Sequence, residues 1–246
     1  LRTVTGVQTC ALPIFCLCNY LEQQPIIYLK FDSIMKYKIT ILILVLFTLY
    51  GHLGNFFEPI RPIHEWRKTD SFSIALNYMH GNSFAHPETQ FISAYNNRAA
   101  AGEFPIVYYS IGKLWSIFGQ HEWIGKLLTY ITFYMSLFLF SEVLLYYFHS
   151  EKKTILFTAA ILSSPVLLFY SNTILPNIYS FSFLLISAYL VYKYLIQPKW
   201  YHAVLLIIFL SLAILIKITA LIAVLTFAGA AIIQYGFIQR EIFVKH

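Results

Sequence analysis

Apolar residues gather along the chain into six runs separated by short polar breaks, covering about residues 39–53, 123–148, 154–170, 177–196, 202–216 and 218–238. A helix that crosses a bilayer needs about 20 predominantly apolar residues. The first run is short, and only Lys217 parts the last two. Read as one helix of about 37 residues, those two would extend roughly 55 Å, far beyond a hydrocarbon core of about 30 Å. The pattern therefore predicts a tight hairpin at Lys217.

A long polar segment, residues 54–120, interrupts the series after the first run. Two stretches within it keep a helical period. "TDSFSIALNYM" places Phe72, Ile74, Ala75, Leu76 and Met79 at helix-like spacing. "EFPIVYYSIGKLWSIFG" sets Pro105 near a helix start and carries an aromatic face. Tyr and Trp favour the membrane interface, so both stretches are expected as helices lying on the membrane surface. A connection longer than about 15 residues is usually functional or disordered, and the apolar content here argues against disorder.

Composition agrees. The chain is 59% hydrophobic and 11% charged, with mean hydropathy +0.65, against about 25% charged residues in soluble domains. The expected fold class is an all-α integral membrane protein: a polytopic bundle of about six spanning helices with a long first loop outside the cytoplasm. The net charge of +6 then points to the sorting of cations between loops rather than to nucleic acid. Lys36 and Lys38, Lys152 and Lys153, Lys193 and Lys199, and Arg240 and Lys245 fall on alternate connections. The positive-inside rule puts these, and the N-terminus, in the cytoplasm of a bacterial inner-membrane protein. Residues 54–120, the turn at 171–177 and Lys217 are then expected on the outer side.

The start of the chain reads differently. Residues 4–14, "VTGVQTCALPI", resemble the translation of a widely used sequencing adapter, and "MKYKITILILVLFTLYG" from Met35 has the form of a membrane-protein start. Residues 1–34 are expected to be a non-native leader and 35–246 the working domain. All three cysteines, Cys10, Cys16 and Cys18, fall in that leader. His80, His86 and Glu88 have no recognised metal spacing. No metal ligand is assigned, and the cofactor is unknown.

Four pieces occur in order: "HEWRKTDSFSIALNY", "EFPIVYYSIGKLWSIFGQHEWIGKLL", "FYSNTILPN" and "ILIKITAL". Together, over about residues 66–221, they resemble the GT-C membrane glycosyltransferases of the protein-mannosyltransferase and aminoarabinose-transferase type. The resemblance implies transfer of a sugar from a polyprenyl phosphate to a lipid, glycan or protein acceptor outside the cytoplasm. A divalent metal would be compatible with it. Relatives have more spans and often a further outer domain, so the chain is expected to be truncated at its C-terminus.

By the same resemblance Asp70 is the essential loop carboxylate. Relatives often carry an Asp-Glu pair there; this chain has Asp70-Ser71. Glu103-Phe104-Pro105 matches the family's charged residue before proline. Lys126 stands where relatives often have Arg, Asn177 where they often have Asp, and Lys217 at the lysine of the fifth-to-sixth turn. The chemistry suits these types. A carboxylate can take the proton of an attacking hydroxyl, worth about 10²–10⁴ in rate. Cations such as Arg67, Lys126 and Lys217 can stabilise the charge on a departing phosphate. Direct displacement would invert the anomeric carbon.

Structural alternatives stand beside each role. Asp70 before Ser-Phe-Ser-Ile suits a helix N-cap. Glu103 would favour a helix N-terminus. Arg67-Lys68 would suit lipid headgroups. Lys217 would mark a turn and snorkel to the interface. Other classes also fit a polytopic chain: a transporter or lipid flippase, with polar groups spread through the midplane, or a non-catalytic membrane fragment.

Overall fold

The computed structural model describes residues 33–57, 65–90, 99 and 102–244. The leader expectation for residues 1–34 falls almost wholly outside them. The described chain is helical: α1 Ser33–Leu49, α2 His52–Asn55, α3 Glu65–Met79, α4 Ile106–Phe118, α5 Glu122–Phe148, α6 Glu151–Leu162, α7 Pro165–Ser171, α8 Pro176–Ile196, α9 Trp200–Ile216 and α10 Thr219–Val244. Among the described residues there is no strand, only an isolated antiparallel bridge between Glu88 and Ala99.

Among the described residues two helices are long and apolar enough to cross a membrane, α5 with 27 residues and α8 with 21. A third crossing arises if α6 and α7, bent by 64° at their break, are taken together. The hydropathy pattern predicts six spans; α10, with 26 residues, has the length of one, whereas two further apolar helices are shorter. Helices α1 and α9 have 17 residues each, about 25 Å at 1.5 Å per residue, short of a core of about 30 Å. The third run is not one helix because Pro165 has no N–H to give to the preceding turn. The expected break at Lys217 is present. Leu206 and Leu210 of α9 and Ala223 and Phe227 of α10, roughly equidistant from it, line one apolar cavity against α8.

Small hydroxyl residues let the helices approach. Thr129, Ser136 and Ser141 of α5 are fully buried, and each hydroxyl donates to a carbonyl of its own helix at 3.0, 2.7 and 2.6 Å. Ser180 of α8 donates across to the Ala213 carbonyl of α9 at 2.8 Å. Thr129 and Tyr179 share a hydrogen bond of 2.8 Å between α5 and α8.

Contacts sort the connections to two ends. At one, Tyr130 near the start of α5 donates to Asn172 in the α7–α8 turn, and the Phe104 N–H donates to the Leu215 carbonyl beside the α9–α10 break at 3.4 Å. At the other, Lys38 of α1 pairs with Glu151 of α6, and Lys193 of α8 with Glu142 of α5. The long loop, the α7–α8 turn and Lys217 therefore share one end, as the charge pattern requires.

Helices α3 and α4 pack against each other and onto that end. Gly112 makes the crossing close: a Cβ there would lie 2.5 Å from the Ala75 carbonyl oxygen and 2.7 Å from the Tyr78 Cβ. Phe72 stacks on Trp115 at 5.4 Å. Val107, Tyr108, Ile111 and Trp115 enter the same core as Ile124, Phe133, Ile174 and Ile178 of the bundle.

Candidate functional site

Two charged residues of the loop, Arg67 and Glu103, meet Lys217 where α3, the start of α4 and the α9–α10 break converge. Arg67 lies in the first turn of α3. Ser71, one turn on, donates its hydroxyl to the Arg67 carbonyl at 2.9 Å. Glu103 precedes Pro105, which begins α4 with φ −80°, close to the angle its ring imposes. Lys217 closes α9 in extended backbone, φ −145° and ψ 109°.

The Arg67 guanidinium donates to Glu103 Oε1, and Lys217 Nζ reaches the same oxygen at 3.3 Å. The side chains are 39%, 14% and 32% exposed for Arg67, Glu103 and Lys217, so the carboxylate is the most enclosed of the three. Two cations on one carboxylate leave these three side chains with a net positive charge. Arg has five N–H donors and Lys three, so both retain donors that Glu103 does not use. Tyr108 closes the inner wall, 4% exposed. Its pKa is pushed up to about 12, first by burial and then by the Glu103 carboxylate. The phenol is a neutral hydroxyl at any physiological pH.

Asp70 stands three residues after Arg67 on α3, half-buried. Among the described residues no hydrogen bond or ion pair engages its carboxylate. The N-cap alternative does not hold, because α3 begins at Glu65 and Asp70 is its sixth residue. Glu103, just ahead of the α4 N-terminus, is paired with Arg67 and Lys217.

Lys126 and Asn177 lie elsewhere. Lys126 is 3% exposed in the first turns of α5 and donates to the Asn55 carbonyl of α2 at 2.6 Å. Asn177 is the second residue of α8, and its side chain has no hydrogen bond among the described residues; Asn172, five positions earlier, is the turn's engaged amide. Lys68 is turned inward over the Phe169 ring at 5.4 Å, 5% exposed. Among the described residues no group of three His, Cys, Asp or Glu side chains is placed to hold a metal ion. His80 and His86 are exposed, and Glu88 accepts from Asn82 at 3.0 Å.

Sequence reasoning missed Tyr108 and Ser71 as parts of this wall. The available signal was helical spacing: Ser71 follows Arg67 by four residues, and Tyr108 falls in the first turn after Pro105. No family model, curated protein or solved structure matches the chain.

Proposed function

We propose that the chain belongs to a membrane glycosyltransferase that takes a sugar from a polyprenyl phosphate and passes it to a hydroxyl acceptor on the outer face of a bacterial inner membrane. The observation that carries this reading is the meeting of Arg67, Glu103 and Lys217. Segments 36 and 114 residues apart join at one end of an apolar bundle and leave a positive surplus beside Asp70. A lipid phosphate lies at that level of a bilayer.

In the reaction the acceptor oxygen attacks the anomeric carbon, and the carbon–oxygen bond to the phosphate breaks. The acceptor's proton passes to Asp70, and the bonding pair leaves with the phosphate. Arg67 and Lys217 stabilise that developing charge, while Glu103 draws the two cations together. Attack opposite the leaving group inverts the sugar carbon.

Binding tests this reading without requiring turnover. The purified chain in detergent is titrated with a polyprenyl phosphate and with the matching uncharged polyprenol. The phosphate should bind at least tenfold more tightly, and Lys217→Gln should remove most of that advantage. Equal binding of the two lipids would overturn the assignment.

A further inference from the structure

The end of the bundle opposite Glu103 carries its own pattern of charge. Six lysines sit there: Lys36 and Lys38 on α1, Lys152 and Lys153 at the start of α6, and Lys193 and Lys199 around the α8–α9 turn. The carboxylates described there are Glu142 and Glu151, and each is engaged, by Lys193 and Lys38 respectively. Lys152, Lys153 and Lys199 are exposed, and among the described residues none of them faces a carboxylate. Side-chain contacts hold the turns together: Tyr146 lies 5.1 Å from Tyr192 and 6.0 Å from His149, ring to ring.

Large aromatic side chains stand beside these lysines and point outward. Tyr147 is 76% exposed and Trp200 78%, and Lys199 lies over the Tyr201 ring at 5.7 Å. In water such exposure of aromatic surface is unfavourable. Rings with one apolar body and one polar tip settle instead at the headgroup level of a bilayer. At the loop end the described charges nearly balance: Arg67, Lys68, Lys113, Lys126 and Lys217 against Asp70, Glu88, Glu103 and Glu122.

We propose that the α5–α6 and α8–α9 turns form a binding surface for anionic glycerophospholipid headgroups, with Lys152, Lys153 and Lys199 holding the phosphates and Tyr147 and Trp200 seated among the glycerol esters. The surface is independent of the chemistry assigned to the loop end. It would hold one face of the bundle against an acidic leaflet.

Each lysine near an anionic surface contributes about a fivefold factor in binding, so the three together supply roughly a hundredfold. The test is lipid competition followed by native mass spectrometry of the full chain, with phosphatidylglycerol and phosphatidylcholine at equal concentration. The wild type should retain phosphatidylglycerol preferentially. Lys152→Gln, Lys153→Gln and Lys199→Gln combined should abolish the preference, each alone should reduce it about fivefold, and the three Lys→Arg changes should keep it. The control Lys113→Gln, at the loop end, should leave it intact. Equal retention of the two lipids by the wild type, an undiminished preference in the glutamine variants, or loss of preference in Lys113→Gln would overturn the proposal.

Discussion

Glu103 and Lys217 stand 114 residues apart in the chain and meet through Oε1 and Nζ at 3.3 Å. This contact and the neighbouring Phe104–Leu215 backbone bond fasten the loop to the α9–α10 break. Both charged partners are partly exposed, so the pair itself contributes under about 1 kcal/mol. Lys217→Gln should therefore lower the melting temperature only slightly while weakening polyprenyl-phosphate binding about tenfold or more. Lys217→Arg, which restores the charge, should recover part of the binding. A large melting loss with unchanged binding would make Lys217 a structural strut.

Asp70 lies inside α3 rather than at its cap, so the carboxylate can be altered without disturbing a helix end. Asp70→Asn should leave thermal unfolding within about 0.5 kcal/mol of wild type. Sugar transfer, measured with a labelled polyprenyl-phosphate sugar and the acceptor, should fall by roughly 10²-fold. Near-normal transfer would remove Asp70 from the reaction.

Gly112→Ala should loosen the α3–α4 pair. The added methyl would meet the Ala75 carbonyl oxygen at 2.5 Å and the Met79 nitrogen at 3.0 Å, and backbone cannot step aside. A cost of about 1–3 kcal/mol is expected, visible as faster proteolysis of the loop. Gly125→Ala should cost less, because its new methyl meets the tip of the Ile174 side chain, which can rotate. Equal losses would mean that Ile174 is as fixed as backbone.

Alkaline pH should unfold the loop helices. The phenols of Tyr78 and Tyr108 are both pushed up to about 12, chiefly by burial, from an ordinary value of 10.0. Between those limits the unfolded chain releases the protons first, so stability falls as pH rises from about 10 to 12 and is unaffected below. Tyr108→Phe should flatten part of that fall, read from melting temperature against pH. An identical slope in the variant would show that Tyr108 ionises freely.

Cysteine labelling checks the sidedness of the two ends. With Cys10, Cys16 and Cys18 changed to Ser, a cysteine at exposed Ser83 should react with an impermeant reagent in intact cells, and one at Lys152 should not. The reverse pattern would place the Glu103 cluster in the cytoplasm.

Much of the scaffold was legible because long apolar runs have few alternatives. The edges of α5 and α8 fall within a residue of those read from hydropathy, and Pro105 and Lys217 mark a helix start and a break as their chemistry suggests. What hydropathy could not register was geometry inside a run. Pro165 sits among Leu, Val and Phe, so composition continues across it while the helix does not. The Asp70 cap was inferred from local residue preference, yet α3 extends upstream through Arg67 and Lys68. That extension places Arg67 a helical turn before Ser71. The Arg67–Glu103–Lys217 meeting is long-range: resemblance nominated the residues, but only folding joins them. Lys126 and Asn177, nominated alike, lie away from that meeting.

The bend at Pro165 has a consequence for how the bundle breathes. The Ile161 carbonyl, which an uninterrupted helix would pair with residue 165, takes the Ser164 N–H at 3.2 Å instead. Tyr50 reaches in to donate to the Ser163 hydroxyl at 2.7 Å. Helix α7 is seven residues long and starts afresh from Pro165, with few turns to share the strain of opening. In deuterated solvent the amides of α7 should exchange well before those of α5 and α8, making this joint the point where the apolar interior first admits water.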